Sequence, residues 1–174
     1  MKKNEINKWQ DRVSKILADA SIVITNSEIR KIEIADFGLD RFEEIGLSIL
    51  TYVNTDRVCA KELVMLPNQI CPEHRHPNIE NELGKEETFR CRKGKVYLYV
   101  SSDEKHTNEE EIKKQVSTTV TVYKCIVLDE GKQYTIYPNT KHWFKAGSEG
   151  AIVSEFSTTS TDELDVFTDS LIVR

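Results

Sequence analysis

Glu87-Thr88-Phe89-Arg90-Cys91-Arg92-Lys93-Gly94-Lys95-Val96-Tyr97-Leu98-Tyr99-Val100 alternates apolar and polar side chains on both sides of a single glycine. A period of two marks a β-strand with one covered face and one open face. The break at Lys93-Gly94-Lys95 reads as a tight hairpin turn, since Gly94 takes the positive φ such a turn needs, with a further strand over residues 96–100. The same texture extends in both directions. Residues 47–53 and 61–66 read as strands, the second ended by Pro67-Asn68-Gln69, and residues 116–122, 123–128 and 134–137 supply further β-branched runs. Before them, Ile6, Trp9, Val13, Ile16 and Leu17 recur at helical spacing, which predicts an amphipathic helix over residues 4–20 packed on the outside. Residues 27–38 start as a short helix and end in a strand or loop, and residues 39–46 show no decisive period. Short strands separated by turn residues after one helix describe a mainly β chain, a small barrel or jelly roll.

Three of the four histidines fall in a pattern: His74-Arg75-His76, then Glu87 seven residues before Gly94, then His142 shortly after Pro138. Residues i and i+2 of a strand share a face, so His74 and His76 can both point inward. His142 follows the turn residues Pro138 and Asn139 and leads the apolar His142-Trp143-Phe144, the start of another strand. Three imidazoles and one carboxylate suit a single divalent transition metal. Glu80, Glu82 and Glu86 compete with Glu87 for the carboxylate position, and the fixed distance to Gly94 favours Glu87. His106 lies in a charged stretch and reads as surface.

Whole segments narrow the reading. Glu86-Glu87-Thr88-Phe89-Arg90-Cys91 with Gly94 to Val100, Tyr137-Pro138-Asn139-Thr140-Lys141-His142-Trp143-Phe144, and Glu155-Phe156-Ser157-Thr158-Thr159-Ser160-Thr161-Asp162-Glu163 resemble the cupin-type D-lyxose isomerases. The likeness runs from about residue 59 onward, with a weaker helical match before it. It implies a single-domain cupin, a jelly-roll β-barrel over residues 47–174 with the helix outside. It also implies a manganese ion held by His74, His76, Glu87 and His142, with cobalt, iron, nickel or zinc as other candidate ions, and a homodimer. Two features depart from the common cupin pattern: the gap from His76 to Glu87 is long, and the stretch from Pro138 to His142 lacks a glycine. Both match the lyxose isomerase branch.

The resemblance implies interconversion of D-lyxose and D-xylulose, with D-mannose and D-fructose as a longer pair, through a cis-enediol. A cation with four protein ligands keeps two positions for a chelating hydroxyl and carbonyl, and a protein base must then move the proton. Strand parity offers Glu155, Lys93, Lys95, Tyr97 and Asp165 as inward acids and bases. Glu155 leads, because it interrupts the apolar run of residues 151–156, where a carboxylate is unfavourable unless paired or used. The alternative places it outward, paired with a lysine. Lys95 is the second catalytic candidate, and Arg90, Tyr97 and Asp165 are candidates for binding sugar hydroxyls. Two rivals share the metal ligands: an iron-dependent dioxygenase and a metal-bound sugar sensor or storage module.

Composition sets the outer bounds. A chain of 174 residues, 39% hydrophobic, is long enough for one domain with a proper core and too short for two substantial ones. The net charge of −5, with Lys and Arg dispersed among acids, offers no basic face for nucleic acid. Met1-Lys2-Lys3-Asn4-Glu5 leads into charged sequence, and no apolar run approaches the ~20 residues that span a bilayer, so a soluble cytoplasmic protein without membrane partners is expected. Cys59, Cys71, Cys91 and Cys125 lack metal or disulfide spacing and read as reduced thiols, Cys91 as small buried filler. Residues 101–114 mix acids with lysines, a solvated loop or short helix, and residues 107–110 resemble a capping box.

Overall fold

A computed structural model describes residues 1–104 and 106–174. Helix α1 (Lys3–Asp19) and the single turn α2 (Asn26–Ile29) lead into nine strands: β1 (Glu33–Ala35), β2 (Leu47–Asn54), β3 (Cys59–Met65), β4 (Ile70–Arg75), β5 (Glu87–Val100), β6 (Lys124–Asp129), β7 (Gln133–Ile136), β8 (His142–Ser157) and β9 (Val166–Phe167). Helix α3 (Glu109–Gln115) lies between β5 and β6. The mainly β, barrel-like architecture is as the sequence predicts.

Two strands organise it. β5 and β8 pair antiparallel along nearly their whole lengths, from Glu87 opposite Ser157 to Val100 opposite His142. The C-terminal half of β8 continues through β3 and β2 to β1, whereas its N-terminal half pairs with β4, which pairs with β9. On the other side, the start of β5 pairs with β7 and its end with β6. The β5–β8 ribbon therefore belongs to two sheets and folds over where it passes from one to the other. Register shifts between Cys91 and Lys93 and between Gly94 and Val96 mark the fold. There Gly94 and Gly150 adopt φ of 77° and 78°, and a Cβ on Gly94 would sit 2.2 Å from the Gly150 carbonyl oxygen.

Two expectations are corrected here. The stretch Lys93-Gly94-Lys95 is no hairpin turn, because β5 continues through it as a bulge. The bulge also exchanges the faces: Glu87, Phe89 and Cys91 point inward, and beyond it so do Val96, Leu98 and Val100. Odd-numbered residues after the bulge face outward, and Lys95 and Tyr97 go with them.

The core between the sheets includes Leu47, Ile49, Leu63, Met65, Phe89, Leu98, Phe144 and Val153, with Cys91 fully buried among them. Val13 and Leu17 of α1 cover the outer face of one sheet over Leu50, Val64 and Ile152, which matches the predicted amphipathic helix. The outer face of the other sheet is covered by α3 and by residues 116–123, which are irregular instead of the predicted strand. Their backbone is satisfied by a side chain: the Glu73 carboxylate accepts the N–H groups of Thr121 at 2.6 Å and Val122 at 3.0 Å. Helix α3 starts at Glu109 after Asn108, without the capping box.

Because the fold-over needs two backbones in contact, Gly94→Ala should lower the unfolding free energy by at least about 2 kcal/mol. Gly131 also has a positive φ, but a Cβ there meets nothing within 4 Å, so Gly131→Ala should cost about 1 kcal/mol. Urea midpoints of the two variants compare the terms directly.

Candidate functional site

The fold-over brings together the two ends of the β5–β8 ribbon. Glu87 from the first residue of β5 and His142 from the first residue of β8 face each other across the barrel mouth, with Glu87 Oε1 3.1 Å from His142 Nε2. β4 adds His74, and His76 follows directly after that strand. The imidazole ligand atoms of His74, His76 and His142 all lie within 4.8 Å of one another, and all three rings are buried. Glu87 Oε1 is also 3.2 Å from His76 Nε2.

Each ring has its other nitrogen engaged. Nδ1 of His74 donates to the Pro72 carbonyl at 2.8 Å, that of His142 to the Thr140 carbonyl at 3.0 Å, and that of His76 to the Asp165 carboxylate at 2.5 Å. Such bonds fix the orientation of each ring and aim its Nε2 toward the centre. Around His142 the consequence is sharp. Its Nε2 is buried with no hydrogen-bond partner, although a Glu87 oxygen lies 3.1 Å away. With Nδ1 donating to Thr140, the Nε2 lone pair of the neutral ring would face a carboxylate oxygen, an arrangement that a cation between them relieves. This donor set fits a divalent metal.

Electrostatics agree. Burial, with His142 and His76 nearby, holds His74 well below the usual imidazole range, so it is a neutral ligand. Burial opposes the charge of Glu87 as well, but Lys85 and His76 outweigh it and hold the carboxyl well below its ordinary value. In the metal-free chain burial pushes His76 down, yet the Glu87 charge and the Asp165 bond prevail and raise it to about 9.

Beside the imidazoles lies a cluster of acids and lysines. Lys85 Nζ contacts Glu87 Oε2 at 2.8 Å, Glu155 Oε1 at 3.1 Å and Asp162 Oδ1 at 3.3 Å. Lys61 Nζ lies 2.6 Å from Asp162 and 3.6 Å from Glu155. Burial alone would discharge Lys85, but its three carboxylates hold it well above the usual amine range. Asp162 is likewise held far below its ordinary value: burial would raise it, and Lys85, Lys61 and Arg174 prevail. Histidines, acids and lysines line one small cavity of about 20 Å³, with Phe89 and Phe144 also in its lining.

The structure therefore brings together His74, His76, Glu87, His142, Glu155 and Asp165. Glu155 faces inward between two lysines instead of outward, while Asp165 orients His76. Glu80, Glu82 and Glu86 are exposed. Three other candidates lie elsewhere, which corrects the roles expected for them. Lys95 pairs with Asp129 on the surface, Tyr97 lines a groove on the outer face beside Trp143, and Arg90 bonds Gln133 outside the barrel. The bulge in β5 removed the first two from the interior, and Arg90 alternates with inward Phe89 and Cys91. Lys61, Lys85 and Asp162 escaped the sequence reading. Lys61 shares the inward parity of Leu63 and Met65, so the logic that selected Glu155 also applies to it. Lys85 lies in a stretch without strand periodicity and carried no such signal.

The two-sheet barrel is shared with solved structures. L-ribose isomerase of Cellulomonas parahominis superposes with a TM-score of 0.72 at 13% identity, covering 98% of this chain and 94% of that one. The enzyme of Geodermatophilus obscurus gives 0.71 at 15% identity, with 98% and 94% covered. These likenesses define the fold, a cupin-like barrel. The family model described as D-lyxose isomerase matches residues 8–174. A D-lyxose/D-mannose isomerase of Thermosediminibacter oceani is 53% identical over 174 residues, all of this chain and 96% of its own length. The D-lyxose ketol-isomerase of Cohnella laeviribosi is 50% identical over the same span and the same shares. The chain belongs to the D-lyxose isomerase family and is an aldose–ketose isomerase, which sets aside the dioxygenase and sensor readings. Among the described residues, no helix is long and apolar enough to cross a membrane.

Two outcomes test the metal centre. Asp165→Asn should weaken divalent-ion affinity about 10–100-fold through loss of the carboxylate on His76, and Glu87→Gln should weaken it too, whereas exposed Glu82→Gln should not; chelator competition reads all three. A metal must displace the His76 proton, so affinity should climb with pH and level off above about 9.

Proposed function

We propose that this chain interconverts D-lyxose and D-xylulose, and the one-carbon-longer pair D-mannose and D-fructose, by proton transfer through a cis-enediol. The observation that carries this reading is Glu155: a buried carboxylate in the same cavity as the imidazole cluster, held by two lysines. The names of the relatives support the sugars. His74, His76, Glu87 and His142 would hold the divalent ion, with manganese the first candidate. When bound, it supplies Lewis acidity at the carbonyl and the neighbouring hydroxyl of the sugar.

The residues of the chain do the rest. Glu155 removes the proton from C2 of the aldose and returns it to C1, forming the ketose. One further proton must leave the C2 hydroxyl and reach the C1 oxygen. Lys85 is suited to assist it, because its buried ammonium lies beside Glu155 at 3.1 Å and can donate to the C1 oxygen as the C2 hydroxyl proton replaces the one it gives up. Lys61 shares the Glu155 oxygen that Lys85 contacts and helps to orient it, and Asp165 keeps His76 aimed at the centre. Phe89 and Phe144 exclude water from the floor. The homodimer implied by the sequence resemblance is part of the same proposal.

The test is turnover of D-lyxose by manganese-loaded protein in heavy water. Ketose should form without dioxygen consumption, and deuterium should appear on C1, since a proton held by a carboxylate exchanges with solvent. Complete retention of the substrate hydrogen would point to a hydride shift and overturn the route. Glu155→Gln should lower kcat by about 10²–10⁴-fold with metal content unchanged; near-normal turnover would clear Glu155.

A further inference from the structure

Three residues of the site have chain neighbours that share one row on the outside of the barrel. Glu87, Glu155 and Lys61 line the mouth, so Thr88, Phe156 and Ala60 beside them point to the opposite face of the sheet. These three are also cross-strand partners, Thr88 with Phe156 and Phe156 with Ala60, and the row continues to Thr135 of β7 and Val53 of β2. It crosses five strands without a charged side chain. A sheet face left to water carries polar residues in such a row. Here Phe156 is 52% exposed and Val53 40%, with Tyr52 and Val58 beside them at 43% and 53%. Helix α1 covers Leu50, Val64 and Ile152 further along the strands and leaves the row open.

The charges at the borders of the row point to what covers it. On β5, Glu86 lies two residues before Thr88 and Arg90 two residues after it, and both are exposed. Arg90 bonds the neutral side chain of Gln133, the backbone N–H of Glu86 bonds Thr158, and among the described residues neither charge has an ion-pair partner. The row is therefore flanked by unpaired opposite charges at equal distances. A second copy turned by 180° about the row lays Phe156 on Phe156 and Thr88 on Thr88, and sets the Glu86 of each chain over the Arg90 of the other. One patch complements itself, as an isologous contact requires. Sheets stack face to face in this way at about 10 Å. We infer that this face is the interface of a homodimer, with a second copy of this chain as its occupant. The inference deepens the homodimer proposed above and is independent of the sugar reading. Because the row lies directly behind Glu87, Glu155 and Lys61, the second copy backs the strands that hold the site.

Sedimentation of the full chain over a range of concentrations tests it. The parent should show a monomer–dimer equilibrium. Phe156→Glu sets a charge against its own image at the centre of the contact and should weaken the dimer at least about 100-fold. Arg90→Glu and Glu86→Arg each bring like charges face to face and should weaken it about tenfold. The double variant, with both charges exchanged, should recover the parent constant, which a merely damaged fold does not do. A parent that stays monomeric at every concentration would overturn the face and the homodimer together. A parent that dimerises while Phe156→Glu and the single charge changes leave its constant unaltered overturns the face alone, and a double variant that fails to recover overturns the two-fold that pairs Glu86 with Arg90. Should Phe156→Glu not fold, the charge exchange decides.

Discussion

The close approach of Gly94 to Gly150 is the constraint on which the rest of the molecule depends. A two-stranded ribbon that ran straight through both sheets would keep Glu87 and His142 at opposite ends of a 14-residue strand. At the ordinary rise of about 3.3 Å per residue, that separation exceeds 40 Å. The bulges fold the ribbon on itself and reduce it to a contact of 3.1 Å. Only glycine fits at this corner, since a Cβ on Gly94 would meet the Gly150 carbonyl oxygen at 2.2 Å and one on Gly150 the Met65 carbonyl oxygen of β3 at 2.7 Å. One local backbone feature thus closes the barrel, exchanges the faces of β5 and assembles the site.

The fold-over also determines the charge balance within the mouth. One sheet brings Glu155, Lys61 and Glu87, the other brings His74, His76 and His142, and the loops add Lys85, Asp162 and Asp165. Burying so many ionised groups is unfavourable unless each has an opposite partner and a hydrogen bond. The two lysines serve Glu155, Asp162 and one oxygen of Glu87, and Arg174 serves Asp162 from the rim. The second oxygen of Glu87 faces imidazole nitrogens instead. That oxygen and those nitrogens are where a divalent ion would complete the balance.

How much of this was legible in the sequence follows from the same geometry. Alternation located β2, β3 and β7 to within a residue or two, and the 3.6-residue period located α1, because both reflect burial of one face. The histidine pattern was legible because ligands must share a side of a strand. Face assignment beyond residue 91 was not, since a bulge inserts a residue without any sign in the hydrophobic pattern, and Gly94 suits a hairpin as well as a bulge. Lys95 and Tyr97 were misplaced for that reason alone. Residues 116–122 have the β-branched composition of a strand, yet their backbone partner is the Glu73 carboxylate, which no local pattern reveals. Lys85 is similar: what makes it part of the site is three carboxylates from distant segments.

Glu73 shows how the two sides of one strand divide the labour. His74 points into the mouth, and Glu73, its neighbour on β4, points to the outer face, where it is fully buried. Its carboxylate accepts from Thr121 and Val122 and, at 2.6 Å, from the Thr168 hydroxyl, while its backbone carbonyl accepts the Thr168 N–H. Thr168 follows β9, whose Phe167 packs at 5.4 Å against the His74 ring and whose approach carries Asp165 to His76. A single outward carboxylate therefore ties down the segment that orients one imidazole and covers another. The strand that supplies His74 and leads into His76 cannot shift without breaking these bonds, and stripping a buried carboxylate of its donors is far more destabilising than breaking a hydrogen bond that water can replace. Rigidity at the mouth is thus built from the outside of the barrel, which leaves the inward side chains free to serve the ion and the sugar.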